Sequence, residues 1–231
     1  MRDPAGPALI VGASGGIGGA LYQHLSRERR VVSISSQAKC RADWFESDYS
    51  ESSLENISES VDCRFSLIII CNGFLHGDGL MPEKRVVDLE PQSLALAFER
   101  NAIIPSMVLK HFRTHIEQVR EAHCGVLSAR IGSIGDNRSG GWYSYRCSKA
   151  ALNMIVKTLA IELGRTHKNL ALVALHPGTT QSNLSDPFLR RSSHQRASAK
   201  ITAQRIERVL TSLTPLDSGG FFDWQGNSVQ W

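Results

Sequence analysis

The stretch "GASGGIG", Gly12 to Gly18, constrains this chain more than any other. It follows the apolar run "ALIVGA" at 8–13 and leads into "GGALYQHLSRERR", which continues as a helix. The predicted unit is strand, tight turn, helix. Glycines at such a turn let phosphate oxygens approach backbone N–H groups at the positive end of the helix. A merely flexible turn would also tolerate glycine, but the position between strand and helix favours a dinucleotide. Gly12, Ser14, Gly15, Gly16, Ile17 and Gly18 are therefore the first candidate cofactor residues. Their spacing, G-x-x-x-G-x-G, differs from the G-x-G-x-x-G of many dinucleotide sites.

The same alternation runs on through the chain. "RVVSIS" at 30–35, "ADWFESD", "FSLIIICNG" at 65–73, "GVLSAR" and "LALVALHPG" read as strands. Residues 91–121 and 143–165 read as long helices. Near-continuous apolar strands alternating with helices predict an α/β fold. It is a single-domain, Rossmann-type, doubly wound parallel sheet with helices on both faces, covering 1–231. Segment 181–200, rich in Ser and Arg, is expected to be a mobile loop.

Composition excludes several classes. At 42% hydrophobic and 21% charged, the 231 residues suit a soluble globular protein. No apolar run approaches the roughly 20 residues that span a membrane, and no signal peptide is evident at the start. Cys40, Cys63, Cys71, Cys124 and Cys147 are odd in number and widely spaced, which argues against disulfides or a metal site and suits a reducing cytoplasm. A net charge of +4 is too mild to imply nucleic acid.

"YSYRCSK" at 143–149 supplies candidate chemistry. Tyr145 and Lys149, four residues apart on a helix, share one face. A cation beside a phenol stabilises phenolate and lowers its pKa from about 10 toward neutrality. That makes tyrosine a usable acid near pH 7. A packing aromatic beside a solvated lysine has the same spacing, so companions elsewhere in the chain must decide. Tyr143, six residues from Lys149, points to another face.

With "CNG" at 71–73, "NAIIP" at 101–105, Ser133 and "HPGTT" at 176–180 added in order, the chain resembles the short-chain dehydrogenases/reductases over essentially its whole length. The segments "GSIGDNRSGGWYSYRCSKAALN" and "FDWQGNSVQW" look most like the C-factor and sniffer-like carbonyl reductase branch. The resemblance implies a cofactor-binding half at about 1–105 and a catalytic part at about 106–231. It implies Tyr145 as general acid, Lys149 as its partner and ribose ligand, and Asn101 as anchor of a relay water. Asp48 is then the adenine contact, and Asn72 and Gly73 stand behind the adenine ribose. Pro177, Gly178 and Thr180 are placed at the carboxamide. Ser133, 12 residues before Tyr145, is expected to hold the substrate oxygen. Another alignment puts Ala129 in that slot, with Ser128 beside it.

The second strand ends "ISSQAKCR" without the acid that would hold a ribose 2′-OH. Ser35, Ser36, Lys39 and Arg41 could instead donate to a 2′-phosphate. NADP is therefore preferred and NAD is the alternative. The expected activity is hydride transfer between nicotinamide and a carbonyl or alcohol, in a homodimer or homotetramer built on the two long helices. The rival reading is a cofactor-binding signalling or sensor protein with little catalysis.

Overall fold

The computed structural model describes residues 6–77, 79–118, 121–181 and 196–231. Its strands in chain order are β1 (Ala8–Val11), β2 (Val31–Ser35), β3 (Trp44–Glu46), β4 (Leu67–Ile70), β5 (Ala122–Leu127), β6 (Leu170–His176) and β7 (Phe221–Asp223). They lie in the order β3-β2-β1-β4-β5-β6-β7, and every neighbouring pair is parallel. This is the doubly wound sheet that the alternation predicts.

Among the described residues six α-helices flank it: α1 (Gly16–Leu25), α2 (Glu51–Ser60), α3 (Pro91–Phe98), α4 (Ile104–Phe112), α5 (Tyr143–Leu163) and α6 (Ala199–Ser212). The strands are buried on both faces, so alternate side chains feed two separate cores. Leu9, Val11, Ile68 and Ile70 pack with Leu54 of α2, Val108 and Phe112 of α4, and Leu152 and Val156 of α5. Ala8, Ile10, Leu67 and Ile69 pack with Leu21 and Leu25 of α1 and Ile206 and Leu210 of α6. Truncating a core ring such as Phe112 to alanine would cost about 3–5 kcal/mol. In β5, a methyl on Gly125 would lie 2.7 Å from Leu210 Cδ1, so glycine there lets α6 close onto the sheet.

Three sequence expectations need correcting. The helix read over 91–121 is α3, a π turn at Glu99–Ile103, and then α4, with a 3-10 turn at Arg113–His115. The strand read as "GVLSAR" starts earlier and stops at Leu127, because Ala122, Cys124 and Val126 are the residues that alternate into a core. Helix α2 carried too little apolar signal to be read, and the amphipathic α6 and the three-residue strand β7 were not read. In α2, "ESSLENISES", only Leu54 and Ile57 are buried hydrophobics, and Ser50 caps the helix by accepting from Ser53 N. Most of the expected 181–200 loop lies outside the described residues.

Candidate active site

The glycine turn is built so that no side chain fits. Gly12 has φ +82°, and a methyl on Gly18 would stand 2.2 Å from the Gly12 carbonyl oxygen. Helix α1 begins after Gly15 with no side-chain cap, which leaves its first N–H groups available to an anion. A cavity of about 200 Å³ opens there, lined by Gly12, Ser14, Gly15, Ser36, Asn72 and Gly73 among others. Buried Asn72 Oδ1 has no hydrogen-bond partner in it among the described residues. A buried acceptor without a donor costs free energy, and a dinucleotide hydroxyl or amine would satisfy it. The residues present thus fit the adenosine end of such a cofactor.

The sequence missed Tyr49 in this wall. Its φ of +64° is rare for a non-glycine residue, and it lines the cavity beside Asn72. Asp48, the expected adenine contact, accepts from Ser50 N at 2.8 Å, and the Ser50 hydroxyl together with this backbone bond holds its carboxyl below the usual range. Ser35 is buried at the end of β2 and its hydroxyl accepts from Gln37 N. Lys39 lies over the Trp44 ring, and Arg41 stacks on Tyr22 while donating to its hydroxyl at 2.7 Å. These stacks hold both cations beside the strand end.

The reacting end is assembled from separate segments. Asn101, fully buried in the π turn, accepts from Phe74 N at 2.7 Å and donates to Phe74 O and Ser148 Oγ. Single π turns often mark functional positions, and here the turn ties the loop after β4 to α5. A methyl on Gly73 would sit 3.7 Å from Asn101 Oδ1 and 3.8 Å from Lys149 Nζ, so both groups converge on one glycine. Lys149, buried, donates to the Leu127 carbonyl at 2.9 Å.

Burial pulls Lys149 down to about 7 and pushes Tyr145 up to about 12. The expectation from spacing was a lowered phenol. Loss of solvation decides both shifts, and each group favours its neutral form.

The entry to α5 is held by residues that spacing could not single out. Gly140, Gly141 and Trp142 are three consecutive left-handed residues, with φ of +62°, +63° and +54°. The Arg146 guanidinium fastens them by donating to the carbonyls of Gly140, Gly141 and Ile131. Buried Glu83 accepts from Ser144 N and from the Ser144 hydroxyl, a carboxylate at the positive end of the helix. Glu83 lies in a loop with no periodic signal. Arg146 sat inside the quoted motif and was legible only as an exposed charge.

Ser133 is buried, and its hydroxyl donates to the Gln230 carbonyl and accepts from Asp136 N at 3.0 Å. Ser128 Oγ donates to Asn153 Oδ1 on α5 at 2.6 Å. Ala129 follows in extended conformation at the open end of β5. After β6, Gly178 has φ +77° and packs on Trp224, while Thr180 Oγ1 pairs with Thr202 Oγ1 at 2.9 Å.

The C-signal protein of Myxococcus xanthus is 33% identical over 144 residues, spanning 62% of this chain and 82% of that protein. The chain belongs to the short-chain dehydrogenase/reductase family. No protein-family model matches it. The short-chain dehydrogenase/reductase fold is shared with solved structures at low identity. Carbonyl reductase Sniffer of D. melanogaster superimposes with a TM-score of 0.82 at 20% identity, covering 98% of this chain and 99% of that one. A Burkholderia multivorans short-chain dehydrogenase/reductase with bound NADP gives 0.81 at 22% identity, covering 99% and 100%. The chain is thus a member of an oxidoreductase family.

Proposed function

We propose that this chain is an NADP-dependent carbonyl reductase in which Tyr145 transfers the proton. The observation that carries the reading is the convergence of Lys149 Nζ and Asn101 on Gly73, with Tyr145 one helical turn from Lys149. When bound, the cofactor supplies hydride from its reduced nicotinamide ring. Gly12–Gly18 and the start of α1 would hold its pyrophosphate, Ser36 with Arg41 would face the 2′-phosphate, and the 177–180 loop would hold the carboxamide. The structure with bound NADP supports that choice over NAD.

The protein's own part is a proton. With its pKa pushed up, Tyr145 is a neutral phenol at pH 7, the form from which reduction begins. As the substrate oxygen gains negative charge it takes the phenolic proton. Cationic Lys149 then opposes the cost of leaving phenolate in a buried site. Ser148, bonded to Asn101 and to the Tyr145 carbonyl, keeps the acid and the lysine in register. Ser133 remains a proposed substrate-oxygen ligand, although both of its hydrogen bonds run to protein atoms.

Similarity to a protein named for signalling favours a second reading, a cofactor-binding sensor with little turnover. A panel of aldehydes, ketones and quinones with NADPH, followed by loss of the reduced cofactor's absorbance, separates the two. Reduction of some members supports the enzyme. NADPH binding without any reduction gives the sensor the lead.

The α4–α5 face fits a second copy of the chain. Met154 and Ile161 on α5 and Ile103 before α4 are 66%, 58% and 52% exposed. A homodimer or homotetramer through this face is our proposal, as is a cytoplasmic location for a chain whose five cysteines are all unpaired. Among the described residues no helix is long and apolar enough to cross a membrane.

A further inference from the structure

Next to Ala129 and the loop after β6 lies a cavity of about 590 Å³, lined by Arg130, His176, Arg196, Arg205, Ile201 and Trp224 among others. It opens where β5, β6 and β7 end, against α6. Three guanidinium-bearing residues share its wall, and no carboxylate lines it among the described residues. Arg205 lies over the Trp224 ring with its guanidinium carbon 4.1 Å from the ring centre. Trp224 is itself packed against Gly178, where a methyl would meet the indole at 2.7 Å. The indole thus orients Arg205 by a cation–π contact without using its donors. Arg130 stands one residue beyond Ala129 and is paired with Asp136 at 2.7 Å.

A second, independent feature lies in the same wall. His176 Nδ1 is buried and has no hydrogen-bond partner among the described residues. Burial, with Arg130 nearby, pulls the imidazole down to about 4, so the ring is neutral at pH 7. A neutral imidazole can place its single N–H on Nδ1 and donate it to an oxygen.

The cofactor's own phosphates do not account for this charge. In the proposed reading they lie at the glycine turn after β1 and at the end of β2. Strands stand about 4.8 Å apart, so the end of β6, three strands from β1, is roughly 14 Å away on the opposite side. The ring of the cofactor would arrive at β5 and β6, and what lies beyond it is substrate.

We infer that this recess takes the anionic head, a carboxylate or phosphate, of a substrate whose carbonyl lies at Tyr145. The inference rests on the carbonyl reductase reading for the carbonyl, and on the arginine wall for the anion. Arginine suits either head because its planar fork donates two parallel hydrogen bonds to a carboxylate or phosphate. Ile201, four residues before Arg205 on α6, adds an apolar contact for the body of the molecule.

The test compares 4-carboxybenzaldehyde with its methyl ester as substrates, using wild type, Arg205→Gln and Arg130→Gln. In parallel, benzoate and phenyl phosphate are titrated calorimetrically into each protein with NADP present. The wild type should prefer the acid to the ester by about tenfold or more in kcat/KM. Arg205→Gln should lower that ratio about tenfold and weaken the tighter of the two anions about fivefold or more. The better-bound anion names the head group. An acid-to-ester ratio near one in the wild type, or one that neither arginine variant moves, overturns the inference while leaving the reductase intact. No reduction of either aldehyde, together with arginine-dependent anion binding, sinks the reductase reading and keeps the recess. Anion binding that is absent, or equal in all three proteins, removes the recess whatever the turnover.

Discussion

The glycine-loop end of the sheet and its β5–β6 end are made of different materials. At the first end the working groups are backbone: N–H groups at the start of α1, a left-handed Gly12, and a Gly18 that touches the Gly12 carbonyl. At the second they are side chains from the loop after β4, the π turn, α5 and the end of β6, brought together only by folding. A site of backbone fails when a Cβ is added. A site of buried side chains fails when a charge or a proton is removed. The two ends should therefore break in different ways.

The largest effect on cofactor affinity is expected at the backbone end. Gly18→Ala would place a methyl 2.2 Å from the Gly12 carbonyl oxygen, so the turn must open. NADPH affinity in a fluorescence titration should fall about a hundredfold or more, some 2.7 kcal/mol. An affinity within threefold of wild type would show that the turn does not shape the site. At the far end of the same cavity, NADPH should bind at least about tenfold more tightly than NADH, some 1.4 kcal/mol. Ser36→Asp should narrow or reverse that preference by setting a carboxylate against the 2′-phosphate. Equal dissociation constants for the two cofactors would remove the NADP assignment.

This difference in materials also explains what the sequence could reveal. The glycine turn was legible because its function is written in consecutive residues. The sheet was legible because strands buried on both faces are apolar throughout. The polar α2 was not, since Leu54 and Ile57 alone anchor it in the core, and the amphipathic α6, which buries Ala203, Ile206, Val209 and Leu210, was not read either. At the reacting end, Tyr145 and Lys149 were legible as an i, i+4 pair. Glu83, Tyr49 and the clamping role of Arg146 were not, because each acts on residues distant in sequence or on loop carbonyls. Even the sign of the Tyr145 shift came out opposite to expectation, because spacing reports a neighbouring charge and is silent on burial.

The side-chain end should show itself in pH. Reduction needs protonated Tyr145 and cationic Lys149, and Lys149 loses its proton around 7. The rate of reduction should be level below that pH and fall above it, approaching tenfold per unit. Alcohol oxidation runs through the same transition state in reverse and needs phenolate beside cationic Lys149, so it should rise with pH up to about 7 and level off above it. Lys149→Arg, which keeps its charge, should remove the break near 7 in whatever activity it retains. A reduction profile that climbs from pH 7 to 9 would contradict the assignment. The smallest effect belongs to Tyr143→Phe. Tyr143 opens α5 and lies on another face of the helix from Lys149, so its turnover should stay within about twofold of wild type.

The most direct test of the central claim is turnover of Tyr145→Phe on a carbonyl that the wild type reduces, with NADPH affinity measured on the same sample. Phenylalanine keeps the ring and its edge-to-face contact with Trp142 while removing the only proton the side chain can transfer. General acid catalysis contributes typically 10²–10⁴-fold. The account predicts a fall in turnover of about that size with NADPH binding preserved. Turnover within a few-fold of wild type would mean that some other group delivers the proton.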